Sequence, residues 1–308
     1  MKKYTLFRDG SFYKGNLHTH TTVSDGDHSP EETAAIYRNA GYSFLAVTDH
    51  NRWGDFPELS DESFLMLPGV EIDTTVDGCV HHIVGIGRPG CDLTGGYRIP
   101  PAEHYGHQPQ DLIDYLLAHR AMAIYAHPFW SYADERLLAS LTGLSGMEII
   151  NYSCEQEWKS GISEVYFEYL WRDGNRIWCF GSDDAHGHVP DYRGGYITVK
   201  ARALTREAIL DAIDAGSFTA SYGPDGADAP RLLDFYVEDG TAVVECTPCR
   251  NIYINVRREY PGYHPAHGTK DAPLTHHEWK LPEGAQRVRA ILTGFDGSIT
   301  WSQPILLA

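Results

Sequence analysis

Short segments that place His, Asp or Glu directly after an apolar run constrain this 308-residue chain more than any other feature. Asn16-Leu17-His18-Thr19-His20 is followed by Ser24-Asp25-Gly26, and Thr48-Asp49-His50-Asn51 stands at the end of the strand expected from Phe44 to Thr48. Glu71 follows the run from Phe64 to Val70, with His81-His82-Ile83-Val84-Gly85 a short way on. His127 follows Met122 to Ala126, and Asp183, Asp184 and His186 follow Arg176 to Phe180. On an extended strand residues i and i+2 share a face, so His18 and His20 can present two imidazoles to one ion, and Asp25 can reach back to the same place. Burying unpaired charge is expensive, and a bound cation removes that objection. Any one segment fits a solvated turn or a hydrogen-bonded histidine. Together they predict a metal site at the C-terminal ends of successive strands, where α/β sheets and barrels assemble their chemistry. Glu71 can bridge two ions with its two oxygens.

The surrounding pattern supplies the frame. From Tyr13 to about Tyr222, short apolar strands alternate with amphipathic helices, which predicts an α/β fold of about six or seven βα units, enough to close or nearly close a barrel. Ser29 reads as an N-cap, Pro30 as the first helical residue and Glu32 as the partner in a capping box, with Gly41 ending that helix. Further helices are expected at Pro109 to His119, Ser163 to Arg172 and Thr205 to Ala215, and a further strand at Met147 to Ile150. Beyond Tyr222 the texture changes to Gly223-Pro224-Asp225-Gly226 and Ala229-Pro230, and helical periodicity does not return. Leu232 to Val237 and Thr241 to Cys246 flank a Glu238-Asp239-Gly240 hairpin signal, and Ile252 to Arg257, Gln286 to Leu292 and Ser298 to Leu307 read as strands. Glu259 to Glu283 reads as a long polar loop. The chain thus divides into an α/β domain, 1–222, and a small all-β module, 223–308.

Composition narrows the function. Lys and Arg total 25 against 42 Asp and Glu, a formal charge of −17, and a broad nucleic-acid surface would work against that field. No run of eighteen apolar residues predicts a membrane span, and Met1 to Phe12 lacks the apolar stretch of a signal peptide. Six scattered cysteines argue against a disulfide framework, so the expected compartment is the cytoplasm. Cys246-Thr-Pro-Cys249 has the spacing of half a zinc knuckle, but it lacks the other half and reads as strand. The loop from Tyr97 to His107 fits a lid or a solvated connection. Nothing in the sequence argues for or against an oligomer.

In this order the motifs resemble the polymerase and histidinol phosphatase (PHP) superfamily of metallohydrolases. The resemblance is carried by HTH with SDG, TDHN, GVE, HHIVG, AHP and SDDAH, across residues 16 to 188. It implies a distorted seven-stranded βα barrel holding two or three divalent ions, commonly manganese, iron or zinc, in a trinuclear site. The implied ligands are His18, His20, Asp25, His50, Glu71, His82, His127, Asp184 and His186. His82 is chosen over His81 because the family ligand directly precedes an apolar run. Asp184-Ala185-His186 fits the family's Asp-x-His, which leaves Asp183 as an extra acid. The C-terminal portion looks like the β-rich tail of some bacterial PHP hydrolases of the carbaryl-hydrolase-like branch.

The chemistry expected of such a set is hydrolysis by a hydroxide that bridges the ions, acting on a small phosphate monoester or a nucleotide-type phosphodiester. Asp183 and His186 are the candidate catalytic side chains, with Asp183 or a nearby histidine as proton source for the leaving group. Arg52 and Arg193, each close behind a metal motif, are candidates to clamp the phosphate. Two other readings stand beside this one. One is hydrolysis of an uncharged ester, amide or carbamate in an apolar pocket lined by Trp53, Phe129, Trp130 and Tyr132. The other is a catalytically silent metal-bound module whose β tail recognises a partner.

Overall fold

The structure, a computed structural model, describes residues 3–94, 108–172, 174–257 and 262–307. The expected lid from Tyr97 to His107 lies outside the described residues. After β1 (Lys3–Thr5), the chain forms β2 (Ser11–Asn16), α1 (Pro30–Asn39), β3 (Phe44–Val47) and β4 (Leu65–Val76). The start of α1 follows its sequence: Ser29 Oγ accepts from the Glu32 amide, and the Glu32 carboxylate accepts from the Ser29 amide. All four residues of β3 are buried, as for a strand covered on both faces. β2, β3 and β4 pair in parallel.

The sheet then departs from a run of parallel βα units. β4 continues beyond Val70 to Val76, turns at Asp77-Gly78, and returns antiparallel as β5 (Cys79–Gly87), with Val76 opposite Cys79. Both turn residues have positive φ, 50° and 82°, the conformation that a two-residue hairpin requires and that Asp-Gly supplies. α2 (Pro109–Ala118) leads to β6 (Ala121–Tyr125), antiparallel to β5. Next come α3 (Glu135–Ser140), β7 (Gly146–Asn151), α4 (Tyr152–Trp158), α5 (Glu164–Arg172) and β8 (Trp178–Ser182). β6, β7 and β8 again pair in parallel. β9 (Gly195–Ala201) runs antiparallel along β2, and after α6 (Arg206–Asp214) β10 (Phe218–Tyr222) runs antiparallel along β9.

The sheet curls until β8 meets β9 closely: a Cβ on Gly195 would lie 1.9 Å from the Ser182 carbonyl oxygen. Beyond the strand ends Thr19 and Ala185 form a parallel bridge. Among the described residues no continuous ladder closes the curl, so the expected seven-stranded barrel is here a mixed, open one. Phe44, Leu67, Val84, Ile124, Phe180 and Ile197 come from six of these strands into one buried cluster.

The remaining strands are β11 (Leu232–Glu238), β12 (Thr241–Cys249), β13 (Asn251–Arg257), β14 (Gly262–His267), β15 (Leu274–Lys280), β16 (Arg287–Thr293), β17 (Ile299–Ser302) and β18 (Ile305–Leu306), and all pair antiparallel. β14 and β15 lie inside the stretch read as a loop. Their sequences, GYHPAH and LTHHEWK, face solvent along much of their length and lack the apolar alternation that marks a half-buried strand. β17 pairs with β10 and β1 with β11, so backbone ladders tie these strands to the α/β part. The buried Gln303 amide exchanges hydrogen bonds with the backbone of Cys179, in the manner of an added strand on β8. Arg289 binds Glu168 at 2.8 Å and Glu164 at 3.1 Å, fastening β16 to α5. Cys246 and Cys249 are free thiols, 3.8 Å apart in the core of this region. No helix among the described residues is long and apolar enough to cross a membrane.

Ser29→Ala is expected to remove the N-cap and one arm of the capping box, lowering the unfolding free energy by about 1 kcal/mol. Urea unfolding checks this: a lower midpoint with an unchanged slope is expected.

Candidate metal centre

His18 and His20 lie just beyond β2, where their segment is tied to the one beyond β8. The Asp184 amide donates to the His18 carbonyl at 2.8 Å, and the His20 amide donates to the Ala185 carbonyl at 2.9 Å. His50 forms a bridge with Glu71 as it leaves β3. These ties bring side chains from distant segments to one place. Glu71 Oε1 lies 2.9 Å from His82 Nδ1, 3.1 Å from His18 Nε2 and 3.4 Å from His127 Nε2. Glu71 Oε2 lies 3.1 Å from His50 Nδ1 and 3.3 Å from His20 Nε2. Asp184 Oδ1 lies 2.9 Å from His20 Nε2 and 3.1 Å from His18 Nε2. Asp25 sits at the outer edge, 3.6 Å from His20 and His186 and 3.7 Å from His50.

Within this cluster three sets each converge within 4.8 Å: His20, Asp25, His50 and His186; His18, His20, Glu71 and Asp184; and His50, Glu71 and His82. Glu71 Oε2 and Asp184 Oδ1 are fully buried and have no hydrogen-bond partner. Orphaned carboxylate oxygens facing imidazole nitrogens are what divalent cations satisfy, so these donors fit the ions implied by the sequence.

The electrostatics agree. Burial alone would keep His18 neutral, but Asp184, Glu71 and Glu148 override it and hold the imidazole well above its usual range. Against the same desolvation, Asp184 and Glu71 raise His20 to about 10. His50 goes the other way, to about 4, because burial and the neighbouring His20 and His82 outweigh the carboxylates. Burial pushes Glu71 and Asp184 upward, but their histidine neighbours hold both well below the ordinary carboxylate range. Protons shared among these groups compensate charge where cations would.

Two buried acids hold the cluster in shape. Asp49, fully buried, accepts from the amides of Thr21 and Ser24 and from both their hydroxyls, which fixes the loop between His20 and Asp25. Glu148 on β7 belongs to none of the sequence motifs. Its Oε1 accepts from His18 Nδ1 at 2.7 Å and from Ser182, while Oε2 accepts from the His127 amide and from Asn151 Nδ2. Asn151 Nδ2 also donates to Asp184 at 3.0 Å. The one sequence signal for Glu148 is an acid inside the apolar run Met147 to Ile150. Alternation on β5 separates the adjacent histidines: His82 faces Glu71, whereas His81 bonds the Tyr125 hydroxyl. His127 and Asp184 have φ of 28° and 56°, a region non-glycine residues enter at a cost and one enriched at functional sites.

Above the cluster is an open cleft of about 230 Å³. Besides metal-type side chains it is lined by Trp130, Ser153, Cys154, Glu157, Trp158 and His188. A larger cavity, about 750 Å³, lies away from the cluster, against Lys14, Asp228 and Arg231. Volume favours the latter, but only the smaller cleft opens onto the converging ligands. Neither expected phosphate clamp lines that cleft. Arg193 packs by Gly226, and Arg52 follows the Asp49 turn without reaching the cleft wall. Asp183 is also elsewhere: fully buried, it accepts from the Tyr37 hydroxyl and from the amides of Arg193 and Gly195. Burial raises it to about 7 against the pull of those donors. That geometry makes Asp183 a brace between α1 and β9, and it does not line the cleft. Trp53 is buried in the core, while Phe129 and Tyr132 are exposed beside Trp130.

Glu148→Gln turns an amide donor toward groups that already donate, so affinity for Mn²⁺ or Zn²⁺ is expected to fall about 10–100-fold by calorimetric titration. The cluster also carries a pH dependence. His20, raised from 6.5 to about 10, contributes stability to the metal-free fold that is complete below pH 6.5 and lost as pH rises through 10. Metal ions require the neutral imidazole, so metal-loaded protein gains affinity over the same interval. Thermal unfolding between these limits is expected to show the metal-free melting temperature falling and the metal-induced increment growing.

No protein-family model matches the chain. Curated relatives match over short stretches. The DNA polymerase/3'-5' exonuclease PolX of Bacillus subtilis is 32% identical across 22% of this chain and 15% of its own length. The 5'-3' exoribonuclease Rnm of Salmonella typhimurium is 35% identical across 23% of this chain and 26% of its own. The chain therefore spans about a quarter or less of the length of these two relatives. Among solved structures, a two-domain Bacteroides vulgatus protein containing a predicted PHP-like metal-dependent phosphoesterase superposes with a TM-score of 0.50 at 13% identity, covering 96% of this chain and 97% of that one. The chain thus shares its overall fold with that two-domain protein, and its own histidine and carboxylate motifs are gathered at one end of the curled sheet.

Proposed function

We propose that this protein is a metal-dependent phosphoesterase acting on a small phosphorylated substrate. The observation that carries the reading is the buried carboxylate pair, Glu71 and Asp184, facing histidines from separate segments at the floor of an open cleft. His18, His20, Asp25, His50, Glu71, His82, His127, Asp184 and His186 would hold two or three divalent ions between them. Such ions supply Lewis acidity toward phosphoryl oxygens and make water a competent nucleophile near neutral pH.

The chain's own contribution is placement. Glu148 fixes the ring orientation of His18 and, through Asn151, the Asp184 carboxylate. Asp49 fixes the loop that carries Asp25. Trp130 packs against His127 and His82 at the cleft wall. In this reading residues 1–222 carry the chemistry, and residues 223–308 brace it through β17 on β10 and through Arg287 and Arg289 on α5. A second reading, hydrolysis of an uncharged ester or carbamate, is favoured by one observation: no Lys or Arg is found among the described cleft-lining residues.

The test is phosphate release by Mn²⁺- or Zn²⁺-loaded protein from a panel of phosphate monoesters and nucleotides, beside carboxyl and carbamate esters. Turnover of phosphates is expected, reduced more than about 100-fold by His20→Ala, since removing a ligand should exceed the cost of disturbing its support. Silence on every phosphate with turnover of an uncharged ester would replace this reading with the second.

A further inference from the structure

The cleft wall bears on the organic part of the substrate, through an inference that rests on the phosphoesterase reading above. Trp130 is held by a tight turn in which the Ser131 amide donates to the His127 carbonyl and the Tyr132 amide to the Phe129 carbonyl. Its ring lies 4.9 Å from His127 and 5.9 Å from His82, directly beside the cluster. A second indole, Trp158, reaches the same cleft from the end of α4 and is 65% exposed. Packing does not account for an indole that open to solvent, whereas a flat partner stacked on it would cover it.

Charge sharpens the picture. Glu157, next to Trp158, lines the cleft with a carboxylate that belongs to none of the metal-type sets. A cleft that tracks a nucleic-acid strand needs a basic groove along the backbone, and none is present among the described lining residues. A second phosphate next to the scissile one would meet Glu157 in a chain whose formal charge is already −17.

We propose that the cleft selects phosphate esters whose organic part is a planar aromatic ring without negative charge, held by Trp130 and Trp158, and that Glu157 turns away polyanionic strands. The exonuclease activities named for the two curated relatives would then be absent here.

The experiment compares benzyl phosphate, glycerol phosphate and a 5'-phosphorylated oligothymidylate as substrates of the metal-loaded protein. The first two both release an alkoxide, so leaving-group reactivity does not decide between them. The expected order of kcat/KM is benzyl phosphate first and the oligonucleotide last. Trp158→Ala is expected to lower the benzyl-to-glycerol ratio about tenfold, chiefly through KM. Glu157→Gln is expected to raise the oligonucleotide relative to benzyl phosphate. A binding readout separates this proposal from the reading beneath it: quenching of tryptophan fluorescence by phenylphosphonate, compared with methylphosphonate. If no ester is hydrolysed but phenylphosphonate binds more tightly, and Trp158→Ala abolishes that preference, the phosphoesterase reading falls and the aromatic subsite stands. Equal binding of the two phosphonates, unaffected by Trp158→Ala, or a preference for the oligonucleotide, would overturn the subsite.

Discussion

The contact on which this structure turns is the buried carboxylate of Glu71 with the imidazoles of His18, His20, His50, His82 and His127. A carboxylate with no solvent exposure cannot stand alone in a protein interior. Its partners come from within β5 and from the turns beyond β2, β3 and β6, so four strands must stand in register for the charge to be compensated. The fold therefore does more than carry the site. The site constrains the register of the curled sheet's strands, and the backbone bonds between the His18 and Asp184 segments are part of that constraint.

Support for the cluster comes from groups one step further out, and they share a design. Asp49, Glu148 and Asp183 are all buried, and each accepts several hydrogen bonds from backbone amides or short side chains. An acceptor-only group surrounded by donors locks its neighbours into one geometry. Only Glu148 reaches the metal-type side chains directly. Asp49 acts on the loop bearing Asp25, and Asp183 acts on the join between α1 and β9.

The convergence of the metal-type side chains is legible in the sequence because a metal site would restrict residue types to His, Asp and Glu, and because strand alternation restricts their spacing. The start of α1 is legible for the same kind of reason, since a capping box is a local pattern with a local cause. The antiparallel return of β5 is within reach: Asp77-Gly78 is a hairpin signal, and reading every strand as a parallel unit obscures it. β14 and β15 are harder, because largely solvent-facing strands show no apolar alternation. Glu148 is hidden in an apolar strand that reads as packing. Arg52 and Arg193 stand close to the motifs in sequence, but a strand end fixes the direction of only the first residues beyond it, and Asp183, directly after β8, faces the opposite way from its neighbour Asp184. Further on, the chain turns Arg193 toward Gly226.

Where the arginines are found explains the character of the cleft. The two most buried ones among the described residues, Arg287 and Arg289, bind Glu164 and Glu168 and fasten the C-terminal strands to α5, away from the cluster. The cleft itself holds acids, imidazoles and indoles, so positive charge at the reacting group would have to come from bound ions. That division has a physical consequence. In the proposed reading, ions held at the floor would attract one phosphoryl group strongly, while the aromatic and acidic side chains of the wall, Trp130, Trp158 and Glu157, would favour an uncharged organic part over a second anion. Under that proposal, affinity for the head group and selection of the organic part would fall to different residues, so substitutions of Trp158 or Glu157 would change the second with little effect on the first.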